Sequence, residues 1–147
     1  LGLSQEELEK YIFSCGLHRS KAAHILSASR DIIEKFGGKV PESFADLKSL
    51  AGVGQKTANV VSSVWFDKDA IAVDTHVFRV SNRLGLAKAN TPLKTEEQLK
   101  EAIPKEHWSE AHHWLIWHGR KVCHSQKPDC GNCPLSDCCD YFKANRV

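Results

Sequence analysis

The chain has 147 residues, 41% hydrophobic and 26% charged, with a formal net charge of +2. That is the composition of an ordinary globular chain of one domain or two small ones, and so small a net charge neither demands nor excludes a nucleic-acid partner. No apolar run approaches the ~18 residues that span a bilayer, and an opening that carries Glu6, Glu7 and Glu9 is not a basic leader with an apolar core.

Residues 4–14 read as a short helix, with Ser4 as N-cap and Glu7 at capping-box spacing. Gly16 breaks it. A second helix, 19–36, carries Ala22, Ala23, Leu26, Ile32, Ile33 and Phe36 as its buried set and stops at Gly37-Gly38. Ser43 caps a third, 44–50, with Phe44, Leu47 and Leu50 on one face. Ala51-Gly52-Val53-Gly54 is a tight hairpin, and a fourth helix over 55–65 follows with Ala58, Val61 and Val64 inside. Asp74 caps a fifth helix, 75–84. The alternation in Ile71-Ala72-Val73 and Val77-Phe78-Arg79-Val80 also fits a strand, but no convincing second strand is available to pair with it, which decides for helix. Thr95 caps a sixth helix, 96–103, and 107–121 forms a seventh in which Trp108, Trp114 and Trp117 read as core. Residues 122–147 read as a Cys-rich loop. The fold class is all-α, without internal repeats.

The hairpin has a physical logic of its own. Two glycines let the backbone turn tightly and approach a ligand closely. The helix that follows offers unpaired N–H groups and the positive end of its dipole. Gly52, Gly54 and Thr57 therefore suit a phosphate, and Lys56 adds a charge. Taken alone, Lys56 is a phosphate clamp or a solvated lysine, and Asp74 is an N-cap. The segment is not a P-loop, because a helix and not a strand precedes it.

Six cysteines are the compositional anomaly. Cys15 stands alone and reads as a small buried hydrophobe, while five lie between Cys123 and Cys139. One tight cluster at the end of such a chain suits a metal or cluster site better than a disulfide knot. Cys123, Cys130, Cys133 and Cys139 read C-x6-C-x2-C-x5-C, with Cys138 as an extra thiol. Four cysteines can hold a zinc ion or an iron–sulfur cluster.

The segment Leu50-Ala51-Gly52-Val53-Gly54-Gln55-Lys56-Thr57-Ala58 resembles the helix-hairpin-helix of the endonuclease III family of DNA glycosylases, with Ala51 where the family usually has proline. Val73-Asp74-Thr75-His76 resembles that family's second signature, and the four-cysteine run resembles its [4Fe–4S] motif along its whole length. The resemblance implies a helix-hairpin-helix glycosylase fold with a C-terminal cluster loop. It implies residues 1–69 as part of the helical barrel domain, with the helix-hairpin-helix at 44–63, and 70–147 as the cluster domain, with its loop at 123–139. It makes Cys123, Cys130, Cys133 and Cys139 the cluster ligands, Lys127 in the loop between the first two a phosphate contact, and Leu17 the wedge that fills the gap left by a flipped base.

The implied activity is base excision with AP lyase cleavage, acting on oxidised pyrimidines in double-stranded DNA or on an AP site. Lys56 would attack the sugar C1′ and form a Schiff base that permits β-elimination, and Asp74 would stabilise the developing positive charge. A lysine at this place separates the lyases from relatives that only remove a base. The other readings are a mismatch-type glycosylase of different base preference and a non-catalytic helix-hairpin-helix DNA-binding module. The family carries further helices before the point matching Leu1, so this sequence reads as a partial chain whose helices should show exposed apolar faces. With that portion present the expectation is a monomer, without membrane association. In a bacterium it would be cytoplasmic, at the nucleoid.

Overall fold

The computed structural model describes residues 2–145. Eight α-helices follow in chain order: α1 Gln5–Tyr11, α2 His18–Phe36, α3 Phe44–Ser49, α4 Gln55–Val64, α5 Thr75–Leu84, α6 Pro92–Ala102, α7 Trp108–Lys121 and α8 Asp140–Ala144. No strand occurs among the described residues, so the stretch before α5 is irregular chain without a partner strand. The chain divides into two compact units, Leu1–Ala58 and Asn59–Val147. The boundary expected at 69/70 lies inside the second.

In the first unit, local signals set the helix ends. The Ser4 hydroxyl accepts from Glu7 N–H, and the Glu7 carboxylate accepts from Ser4 N–H at 2.7 Å, which closes the capping box that starts α1. α2 ends on Gly37 in the left-handed conformation. Ser43 caps α3 through Asp46 N–H. Ala22, Leu47, Leu50 and Ala58 are buried, but the face expected for α2 is thinner than its pattern implies: Ile33 is 53% exposed. Phe44 is exposed as well.

The second unit holds the larger core. Ile71, Val73, Val77, Val80, Leu99, Ala111 and Leu115 form one buried cluster. Each large apolar side chain in it contributes roughly 1.5–3 kcal/mol by leaving water. α5 packs along α7 most closely at Gly119, where a Cβ would stand 3.1 Å from both His76 Cβ and Val80 Cγ2. A larger residue there would force the two helices apart.

Several expectations are corrected. α6 starts at Pro92, not 96: Thr91 is its N-cap, accepting from Lys94 N–H at 3.3 Å, and Thr95 is fully buried inside the helix. Pro92 pre-sets the first turn, where it loses no hydrogen bond. Residues 122–147 are not all loop, because α8 closes the Cys-rich segment. Val64, Trp114 and Trp117 are more than half exposed, and only Trp108 packs against the core, its indole N–H donating to Ile103 O at 2.9 Å. Cys15 is exposed. The expected exposed apolar faces are present, with Trp65 at 75% among them.

Candidate active site

The hairpin joins α3 to α4. Leu50 is buried and extended, Val53 N–H donates to Leu50 O at 3.1 Å, and Ala58 N–H donates to Gly54 O at 3.0 Å as α4 begins. Gly52 has φ +76°, the left-handed region, and a Cβ there would lie 2.9 Å from the His24 side chain on α2. Conformation and close approach both therefore require glycine at 52. Gly54 has open space around it. It precedes the first turn of α4, where the N–H groups of a helix start lack intrahelical partners. Lys56 and Thr57 are exposed on that turn. Lys21 and His24 line a groove beside the hairpin with Gly52 and Val53, which adds a cation to this face.

Leu17 and Lys127 share an unexpected property. With Asp67, they are the non-glycine residues of positive φ among the described residues, at 60° and 49°. An L-residue in that region costs roughly 1–2 kcal/mol. Leu17 holds it at the start of α2 with its side chain 80% exposed, so neither burial nor backbone comfort explains the leucine. Strain of this kind concentrates at functional sites. Lys127 is exposed at the tip of the Cys-rich segment.

Asp74 caps α5 in the second unit. Its Oδ1 accepts from both His76 N–H and Val77 N–H at 2.8 Å. Oδ2 has no hydrogen-bond partner among the described residues, and the residue is partly exposed. The chain leading to it, Ile71-Ala72-Val73, is buried. Lys56 stands in the first unit and Asp74 in the second.

The four spaced cysteines come together. Cys123, Cys130, Cys133 and Cys139 all line one small cavity, walled by Leu84, Val122, Pro128 and Phe142. Cys138 does not line it; exposed, it donates its thiol to Leu135 O. Burial raises the Cys130 thiol pKa, the nearby Cys123, Cys139 and Cys133 raise it further, and Arg83 opposes them. Four sulfurs this close repel one another when ionised, and a cationic centre between them relieves that repulsion. Among the described residues, no three His, Cys, Asp or Glu groups converge as on a single metal ion. His118 faces the same cavity, its Nε2 3.6 Å from Cys133 Sγ, and burial lowers its pKa.

Two arginines on α5 were not singled out by the sequence. Arg79 donates to Cys123 O at 3.0 Å and to Gly119 O at 2.9 Å. Arg83 donates to Cys123 Sγ at 3.4 Å, His124 O at 2.6 Å and Ser125 O at 3.0 Å, and lies over the Tyr141 ring. Their i, i+4 spacing was visible; the carbonyls they would meet were not.

Comparison with known proteins places the chain in a family. The model of the HhH-GPD superfamily of base excision DNA repair proteins matches residues 1–105. Endonuclease III of Rickettsia conorii is 49% identical over 142 residues, covering 97% of this chain and 68% of that protein. A structure of a trapped endonuclease III–DNA covalent intermediate matches with a TM-score of 0.92 and 48% identity, over 97% of this chain and 67% of that one. The structure of a thermostable thymine-DNA glycosylase matches with a TM-score of 0.87 and 27% identity, over 98% of this chain and 68% of that one. The chain thus spans about two thirds of the length of these relatives.

Proposed function

The chain belongs to the endonuclease III family of the HhH-GPD superfamily, and on that premise we propose that it removes oxidised pyrimidines from double-stranded DNA and cleaves the strand as an AP lyase. The observation that carries this reading is the TM-score of 0.92 against an endonuclease III held covalently on DNA.

The hairpin at Gly52 and Gly54, with Thr57, grips a phosphate through backbone N–H groups and fixes the strand without reading its bases. Leu17 enters the stack where the damaged base has left it. The Lys56 amine attacks the sugar C1′; the C1′–base bond breaks, and the base leaves with the electron pair and takes up a proton. Asp74 stabilises the positive charge that builds on the sugar, which its unpaired Oδ2 suits. The bound nitrogen loses a proton and the C1′–O4′ bond breaks, the ring oxygen taking up a proton, which leaves a Schiff base at C1′; a proton is then lost from C2′, and the 3′ C–O bond breaks with departure of the phosphate. Lys127 holds a phosphate from the Cys-rich segment.

We assign Cys123, Cys130, Cys133 and Cys139 as ligands of a [4Fe–4S] cluster, because these four of the six cysteines line one cavity and Cys138 does not. When bound, the cluster supplies iron–thiolate bonds that staple loop 123–139. Residues 1–69 then contribute to a barrel domain and 70–147 form the cluster domain. In a bacterial cell the enzyme would act at the nucleoid in the cytoplasm. No described helix is long and apolar enough to cross a membrane.

A substrate panel tests the proposal. Duplexes carrying an oxidised pyrimidine should release the base and be nicked, whereas undamaged duplex should not. Turnover of a G·T mismatch alone would favour the mismatch-type reading. Binding without base release or nicking on any duplex would leave only the non-catalytic module.

A further inference from the structure

The two carbonyls that lead into Asp74 are held by side chains from other helices. Ile71, Ala72 and Val73 are buried outside any helix, with no strand beside them among the described residues. Buried backbone polar groups need partners, and here no ladder supplies them. Asn59 on α4 donates Nδ2–H to Ile71 O at 3.1 Å, and His112 on α7 pairs its Nδ1 with Ala72 O at 2.7 Å. A carbonyl only accepts, so Nδ1 of His112 carries the proton. Both side chains are themselves buried, at 4% and 8% exposure, in places where an apolar residue is the ordinary occupant. Asp74 follows two residues after Ala72, with Oδ1 locked onto the first amides of α5. Its carboxylate is therefore fixed by helix amides ahead and by two anchored carbonyls behind.

We propose that Asn59 and His112 are positioning residues for Asp74, setting where its Oδ2 stands against the substrate sugar. The inference rests on the reading of Asp74 as the carboxylate that acts at that sugar. A displacement of about 1 Å at such a group can cost on the order of 100-fold in rate.

The test measures single-turnover base release from a duplex with an oxidised pyrimidine, beside the dissociation constant for the same DNA. His112→Phe should slow base release by about 10- to 100-fold while affinity changes less than about threefold. His112→Asn, whose amide Nδ2 reaches nearly the place of the imidazole Nδ1, should restore the rate to within about threefold. In an Asp74→Asn background, His112→Phe should cause no further loss, because its effect passes through Asp74. A wild-type rate in His112→Phe, loss that adds to that of Asp74→Asn, or failure of His112→Asn to restore the rate would overturn the proposal. Should His112→Phe not fold by thermal melting, Asn59→Leu carries the same slowed base release and the same absence of further loss in the Asp74→Asn background, since it nearly keeps the shape and removes the donor. Unimpaired base release in Asp74→Asn itself would instead overturn the underlying reading of Asp74.

Discussion

Leu17, the proposed wedge, sets stability against function at a single residue. It holds a left-handed backbone without being glycine and exposes four fifths of an apolar side chain. Leu17→Gly should stabilise the protein by about 1 kcal/mol in chemical denaturation, because glycine adopts that conformation without strain. The same change should slow base release from duplex by roughly tenfold, as a wedge is lost, while cleavage at a preformed AP site is retained. Equal base release in both proteins would remove Leu17 from the site. Its role came from resemblance; its strain could not be read, since nothing in Gly16-Leu17-His18 dictates which residue takes the positive φ. Cys15 and Val64 failed for a related reason. Residue type predicts burial only where a neighbouring element is present to cover the side chain.

At the scale of elements, the hairpin and the helix starts carry the predictions. Leu50 is extended at φ −74° and ψ 141°, the conformation that favours a following proline. Ala51→Pro should therefore stabilise the hairpin by about 0.4–1 kcal/mol, read as a modest rise in Tm. Gly52→Ala should do the reverse, destabilising by more than about 1 kcal/mol and weakening DNA binding, because of its positive φ and the contact with His24. α1 should respond to acid. The Ser4 backbone N–H, and then its hydroxyl, hold the Glu7 carboxyl below its ordinary value of 4.5. A carboxyl lowered by folding contributes stability above that value and loses it as pH falls through the lowered one. Amide protection in α1 should fall in that acid range, and Glu7→Gln should abolish the pH dependence. Helix starts were the most legible feature of the sequence, because Ser4, Ser43 and Asp74 act on their own first turns. α6 starts one turn before Thr95, because Thr91-Pro92 is a cap followed by proline at N1 and Thr95, paired to Thr91 O, lies buried inside the helix.

Across the whole molecule, the lysine, the carboxylate and the cysteines lie far apart in sequence, and only the family signatures joined them. Local patterning gave the helices. It could not give the exposure of Trp114 and Trp117, which depends on what packs over α7, or the clamp of Arg79 and Arg83 on Cys123, the first of the proposed cluster ligands. That clamp makes a prediction for the assembled protein. Arg83→Ala removes the donor to Cys123 Sγ and to the carbonyls of His124 and Ser125, and should hasten loss of visible absorbance under a chelator. Absorbance loss at the wild-type rate would show that the loop holds without it. The central claim remains that Lys56 is the nucleophile. It is tested most directly by borohydride reduction with a duplex carrying an oxidised pyrimidine, followed by peptide mass mapping of the trapped adduct. One adduct is expected, on Lys56, absent from Lys56→Gln even though that variant still binds DNA. An adduct on another amine, or one that persists in Lys56→Gln, would contradict it.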